Sequence, residues 1–416
     1  MTVHALDTVL TDFQSARLQP MVPQEVSLAL LTKAMTKAIA VREGKESDQQ
    51  VEKIFRRLKV LFSQFAASPD KIKERYMAIW PQHDDFQALV KANICENNRF
   101  VPHDPVFPMF NELAQHHRQP EGASLGVRME LYRQECERHL SVLYDNVVSP
   151  PDQMIHVTST GYCDPNPVQL LISERGWHDT IVHNSYNKAC NGAIPAIRLA
   201  DALMQQSYGG AGRTDSRVDI IHSEMFSLHI NLTHNHPVNI SLVNSYSDSF
   251  FRYSLCSHET VRTKGMRGLK IIGIKDYTIP GSSSVCRWMV SDPSFEFTID
   301  VLQYFRLIRK HVRQLVDRLF AGVGMEFDDV RDSLVYGLQM SSSLPMKEIK
   351  KGLSLSDDQV ALSKKLLYEQ GYLSSAALPF MCKQILESDD VPVGQKVLCI
   401  GYAQGVTMSA MLLEKV

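Results

Sequence analysis

The chain has 416 residues, 44% hydrophobic and 22% charged, with 21 Gly and 19 Pro. Those are the proportions of an ordinary globular protein of roughly two to three domains. Forty-four Lys and Arg against 46 Asp and Glu leave a net charge of −2, which excludes a broad polyanion-binding surface and an acidic disordered tail. The eight Cys are scattered, with no C-x-x-C pair. Neither structural zinc nor a disulfide framework is expected, and a reducing cytosol fits best. The opening MTVHALDTVLTDFQ has no basic region followed by an apolar run, and no apolar stretch is long enough to span a membrane.

Residues 24–43 and 47–67 carry apolar positions at helical spacing, and the second stretch holds the basic residues Arg56, Arg57 and Lys59. SPDKIKERY (68–76) reads as a cap and a short helix. Residues 80–123 read as irregular and 124–147 as helical. MIHVTST (154–160) and TIVHNSY (180–186) are strand candidates around a helix at 167–175. A helix signal opens beside Cys190 and gives way to a loop at 207–216. VDIIHSEMF (218–226) and FFRYSLCS (250–257) are strands with a helical stretch between them. After residue 258 the rhythm repeats. Strands are expected at 270–279, in the 286–300 region, at 334–339 and 396–403, and over VTMSAMLLEKV at the end. Helices are expected at 301–323, 356–370 and 375–387. The alternation in two parts gives an α/β fold, divided into 1–258 and 259–416.

Cys190 is the sharpest chemical candidate. It follows a strand and opens a helix among the small residues Ala189, Gly192 and Ala193. Unpaired amides and the positive end of a helix there favour a thiolate nucleophile. His222, His229, His234 and His236 crowd one region, but no carboxylate or Cys partner stands at ligand spacing, so no metal is expected.

A series of motifs resembles the chalcone synthase and type III polyketide synthase family, within the thiolase-like superfamily that includes ketoacyl synthases. In chain order they are LFSQFAASPDKIKERYM, VTSTGYCDPNPVQL, SYNKACNGAIPAIRLA, VDIIHSEMFSLH, NSYSDSFFRYSL, GYLSSAALPF and IGYAQGVTMSAMLL. The resemblance implies the five-layer αβαβα thiolase-like fold built from two duplicated halves. It places Cys190 at the acyl-accepting position, and Tyr246, Phe297 and Tyr402 near the acyl cavity. It also implies a dimer formed through the TIVHNSY strand.

The sequence departs from that family at four motifs. The His of His-Pro-Gly-Gly is replaced by Gln339, and the Asn of Gly-Asn-x-Ser-Ser by Tyr372. Ser247-Asp248-Ser249 stands for Gly-Asp-Gly, and Gly401-Tyr402-Ala403-Gln404-Gly405 for Gly-Phe-Gly-Pro-Gly. A Gln amide can donate a hydrogen bond but cannot pair with a thiolate as an imidazolium does. Acyl transfer through Cys190 is therefore expected in preference to decarboxylative condensation. Phe62, Phe65 and Pro69 fall where the family places cations against coenzyme A phosphates, while the charges lie earlier, at Arg56, Arg57 and Lys59. An acyl carrier protein with its phosphopantetheine arm is expected as the donor ahead of coenzyme A thioesters, and no tightly bound cofactor is expected. The expected function is a ketosynthase-like acyltransferase of polyketide or fatty-acid type, with Cys190, Gln339 and Tyr372 at the site. The alternative is a catalytically silent homologue that pairs with an active ketosynthase, as chain-length-factor subunits do.

Overall fold

The computed structural model describes residues 6–80 and 108–416. The strands are β1 (Thr8–Ala16), β2 (Val22–Pro23), β3 (Glu74–Arg75), β4 (Gln153–Thr158), β5 (Ile181–Tyr186), β6 (Val218–Glu224), β7 (Ser249–Ser257), β8 (Leu269–Thr278), β9 (Cys286–Met289), β10 (Glu296–Ile299), β11 (Val335–Leu338), β12 (Lys396–Ala403) and β13 (Thr407–Lys415). Nine of them form one sheet in the order β11-β12-β13-β8-β1-β7-β6-β4-β5.

One pairing pattern occurs twice in that sheet. β4 runs parallel to β6, and β7 antiparallel to both β6 and β1. Likewise β11 runs parallel to β12, and β13 antiparallel to both β12 and β8. β1 and β8 join the two sets through Val9↔Lys270 and Leu10↔Leu269. β6 and β7 are buried along their whole length, and they bury polar side chains such as Asp219, His222, Glu224 and Arg252 as well as apolar ones. Helix Val301–Gly322 repeats its buried residues at Tyr304, Ile308, Val312, Leu315 and Leu319, the spacing of one helical face. One hydrophobic core holds residues from both parts of the chain, Leu10, Ile220 and Tyr253 together with Leu315, Leu398 and Leu412.

Some local expectations are overturned. Residues 68–76 form a turn and β3, not a helix. Lys73 donates its amide to Tyr368 and accepts from Gln24, so tertiary bonds hold the segment extended. The helix after Cys190 runs on through Gly209 and Gly210 to Ala211, and stops where Gly212 takes φ 63°. Helix Ser343–Leu353 and strand β1 carried no sequence expectation. Within the stretch read as irregular, Asn111–His116 is helical, and residues 81–107 lie outside the described residues.

Candidate active site

The turn that carries Cys190 follows the end of β5. Ala189 takes φ 47°, a strained value for a residue with a side chain, and Ala189–Asn191 make one tight turn before helix Ala193–Ala211. Gly192 lets this turn sit against its neighbours, since a Cβ there would meet Val157 Cγ1 at 2.8 Å and Ser375 Cβ at 3.1 Å. Cys190 is thereby fixed in a nearly dry position, 7% exposed.

Two tyrosines are brought to Cys190 by backbone bonds between distant segments. Ser247 N–H donates to the Tyr372 carbonyl at 2.9 Å, and Tyr372 N–H donates to the Ser245 carbonyl at 2.8 Å. The Ser247-Asp248-Ser249 segment reinforces this. Ser249 Oγ donates to the Leu373 carbonyl, and Asp248 accepts from the amides of Ala78 and Ser227. The Tyr246 and Tyr372 rings stand 4.8 Å apart. Tyr246 Oη lies 3.5 Å from Cys190 Sγ, and Ser374 Oγ donates to the sulfur at 3.5 Å. The Tyr372 hydroxyl also favours the charged form of the sulfur.

Gln339 stands one step back. Its Nε2 donates to Tyr372 Oη at 2.7 Å and to the Tyr402 carbonyl at 2.9 Å. Because Tyr372 Oη accepts from Gln339, its own proton is free to point at Cys190. Gln339 thus acts on the sulfur through Tyr372 rather than directly. Gly401 permits the arrangement, since a Cβ there would sit 2.5 Å from Asn191 Oδ1 and 3.0 Å from Gln339 Oε1.

The electrostatics differ from the sequence expectation. Burial pushes the Cys190 thiol above its ordinary pKa. The hydroxyls of Tyr372, Tyr246 and Ser374 pull it down, and the Glu224 carboxyl adds to the rise. Burial thus works against the thiolate that the start of the helix favours. Glu224 is itself pushed up to about 7 by burial, although it accepts from Ser375 Oγ, Ser159 N and Thr160 Oγ1.

Cys190 opens into a chamber of ≈ 530 Å³, whose walls include Tyr246, Phe297, Tyr304, Tyr372 and Tyr402, with Gln64 and Phe65 at one side. A second chamber of ≈ 590 Å³ shares Val238, Leu242, Tyr246, Phe297 and Ile299 with it. Phe226, stacked on Tyr246 with centroids 3.9 Å apart, faces the second chamber. His229 also lines that chamber, but both its nitrogens are committed. Nδ1 accepts from Phe295 N–H and Nε2 donates to the Thr160 carbonyl. His222 bonds Ser375 and Tyr253, and burial draws both imidazoles down to about 3. His234 contacts Asn231, and His236 caps the helix at Val238. No group of three His, Cys, Asp or Glu suited to a metal occurs among the described residues.

Arg56, Arg57 and Lys59 are exposed on helix Asp48–Phe65, and none of them lines the Cys190 chamber. Arg56 pairs with Glu52 at 2.8 Å, and Lys59 lies over the Phe55 ring. Phe62 is buried, while Phe65 is 41% exposed beside the chamber. Sequence reasoning gave no role to Ser374, which donates to the sulfur, or to Cys286 and Tyr304, which line the chamber. Ser374 follows Tyr372 by two positions in GYLSSA, which was the available signal. Nothing local marked the other two.

No protein-family model matches the sequence, and neither does any curated protein. Solved structures do match over the whole length. PKS-I from the brown alga Ectocarpus siliculosus superposes with a TM-score of 0.76 at 15% identity, covering 100% of both chains. The 1,3,6,8-tetrahydroxynaphthalene synthase of Streptomyces coelicolor, a bacterial type III polyketide synthase, gives 0.71 at 15% identity over 98% of this chain and 99% of its own. The fold is the thiolase-like fold of type III polyketide synthases. A CsyB variant complexed with CoA-SH gives 0.71 at 14% identity, covering 99% and 100% of the two chains.

Proposed function

We propose that the chain is a polyketide-synthase-like acyltransferase that carries its acyl group on Cys190. The observation that supports this is a cysteine sulfur held among three hydroxyls at the wall of a chamber large enough for an acyl chain. In the proposed step the sulfur attacks the carbonyl of an acyl thioester. The bond to the donor's sulfur breaks, and the proton lost by Cys190 ends on the departing thiol. Atoms and charge balance without a cofactor. The hydroxyls of Tyr246, Tyr372 and Ser374 stabilise the sulfur as it becomes anionic, and Gln339 keeps the Tyr372 proton aimed at it. Charge-assisted bonds of this kind contribute about 1.5–3 kcal/mol each.

The donor is a thioester of coenzyme A or of a carrier protein. Similarity to a CsyB variant solved with CoA-SH supports the first. Arg56, Arg57 and Lys59, on the exposed face of the helix that leads to Phe65, support the second. Incubation of the full chain with acyl thioesters, followed by intact mass, tests the reading. One acyl group should be retained per chain, and Cys190→Ala should abolish it. Equal acylation of Cys190→Ala would defeat the reading. A specific observation favours the alternative of a silent partner to an active ketosynthase. The Gln339 amide is spent on Tyr372 and Tyr402, and the thiol is held above its ordinary pKa.

A further inference from the structure

Arg75, the second residue of β3, is fully buried, and its guanidinium ties two parts of the chain together. Nη1 donates to the Val243 carbonyl and to the Tyr246 carbonyl, each at 2.8 Å. Those carbonyls bracket the turn that leads from helix Pro237–Val243 to Tyr246. Nε and Nη2 reach the other way, to Gln24 Oε1 at 2.8 Å and to Ser27 Oγ, both on helix Gln24–Glu43. The residues after Arg75 continue the tie. Tyr76 N–H donates to Ser247 Oγ at 3.1 Å, and the Tyr76 carbonyl accepts from Asp248 N–H at 2.8 Å. The Tyr372 segment closes over the arginine from another direction. Gly371 takes φ 69°, and a Cβ there would meet Arg75 Cγ at 2.9 Å and Ser247 Oγ at 2.8 Å. Ser245 and Ser247 are thus held by Tyr372, and the carbonyl between them by Arg75. The Tyr246 side chain leaves this anchored backbone with its hydroxyl 3.5 Å from Cys190 Sγ.

We infer that Arg75 is a positioning residue for the nucleophile: by clamping the carbonyls of Val243 and Tyr246 it sets the Tyr246 hydroxyl against the Cys190 sulfur. The inference rests on the reading of Cys190 as the acyl carrier and extends it to a residue that acts through Tyr246. The planar fork suits the task. One nitrogen points its two N–H groups at two carbonyls while the others are anchored on a helix, so the spacing of helix and turn is fixed. A lysine keeps the charge, but one ammonium cannot span the same four acceptors. The buried positive charge is answered by the Asp248 carboxyl, which the Ala78 and Ser227 amides hold in place.

The test reads the pH profile of Cys190 alkylation by iodoacetamide on the full chain, which needs no acyl donor. The groups that bear on the sulfur's charge are Tyr372, Tyr246, Ser374 and Glu224. Tyr246→Phe removes one donor to the thiolate and should move the profile up by about one pH unit. Arg75→Lys should move it the same way, by at least about half a unit. In the Tyr246→Phe background Arg75→Lys should add less than about 0.2 units, because the group it positions is gone. Arg128→Lys is the control for a merely structural loss. Arg128 is equally buried and also clamps two carbonyls, those of Leu228 and Ile230, neither on a residue that bonds the sulfur. It should lower the melting temperature and leave the profile within about 0.2 units. If Arg75→Lys does not fold, Gln24→Leu loosens the same guanidinium from its other side and carries the same expectations. An unmoved profile, a shift that persists undiminished in the Tyr246→Phe background, or an equal shift in Arg128→Lys would each overturn the inference. Failure of the unaltered chain to retain an acyl group is a separate result. It defeats the acyl-transfer reading, while the alkylation profiles still decide what Arg75 does for Tyr246.

Discussion

A thiol ringed by hydroxyls responds to pH differently from one paired with an imidazole. An imidazolium holds a neighbouring thiolate over a plateau that begins well below neutrality. Around Cys190 the stabilising groups are Tyr246, Tyr372 and Ser374, all neutral, and burial outweighs them. The reactive thiolate is the form that burial disfavours, so it grows in as pH rises. The rate of Cys190 alkylation by iodoacetamide should therefore climb about tenfold per pH unit from pH 7. It should level off only above the ordinary thiol value of about 8.5. Tyr372→Phe removes one donor to the sulfur and should move the profile higher still, by about one unit. Tryptic mapping of the label as a function of pH checks both. A plateau below pH 8 in the unaltered chain would show that a positive group reaches the sulfur after all.

At the scale of elements, helix Asp48–Phe65 is the piece whose role is most open to test. Arg56 lies eight residues, or about 12 Å along the axis, from Gln64 beside the chamber. A negatively charged carrier protein would be drawn to Arg56, Arg57 and Lys59 over about one Debye length, roughly 8 Å at physiological salt. Reversing all three to Glu should slow loading from an acyl carrier protein about tenfold through on-rate. Loading from acyl-pantetheine should stay within about twofold. Equal loss with both donors would point to damage in the helix instead. This helix was legible in the sequence because Ile54, Leu58 and Phe62 repeat at helical spacing. Helix Ser343–Leu353 was not, because SSSLP reads as turn chemistry even though Pro345 falls within the first turn, where helices accept it. Residues 68–76 looked helical from local spacing, but bonds to Gln24 and Tyr368 from elsewhere in the chain decide their conformation. The candidate site divides the same way. Cys190 stood out from its neighbours in SYNKACNGA. The placement of Tyr246 beside Tyr372 rests on bonds across 127 positions of sequence, Ser245 to Tyr372, that no local pattern encodes.

For the whole molecule, the sheet is open at both ends, and the two ends are unlike. β11 closes one end with four residues that are mostly buried. β5 closes the other with six residues, none fully buried, and Ile181 is 57% exposed. β5 pairs with β4 on one side, and no described strand pairs with the other. A half-exposed edge strand with an apolar residue at its start invites another chain, and soluble proteins usually blunt or cover such an edge. It also leads directly into Ala189 and Cys190, so whatever covers β5 also braces the nucleophile turn. We propose that a second copy covers it, which makes the working unit a dimer of the 47.0 kDa chain. Ile181→Lys places a charge at the start of that edge strand, within the contact. Sedimentation of the unaltered chain at micromolar concentration should give twice the chain mass, and the variant should shift toward the single chain. Cys190 alkylation should change in the variant as well, because the turn loses its brace. If the unaltered chain sediments as a monomer, a second copy does not cover β5. An active ketosynthase homologue then becomes the partner to test at the same edge, and mixing it with this chain should produce a heterodimer that Ile181→Lys weakens.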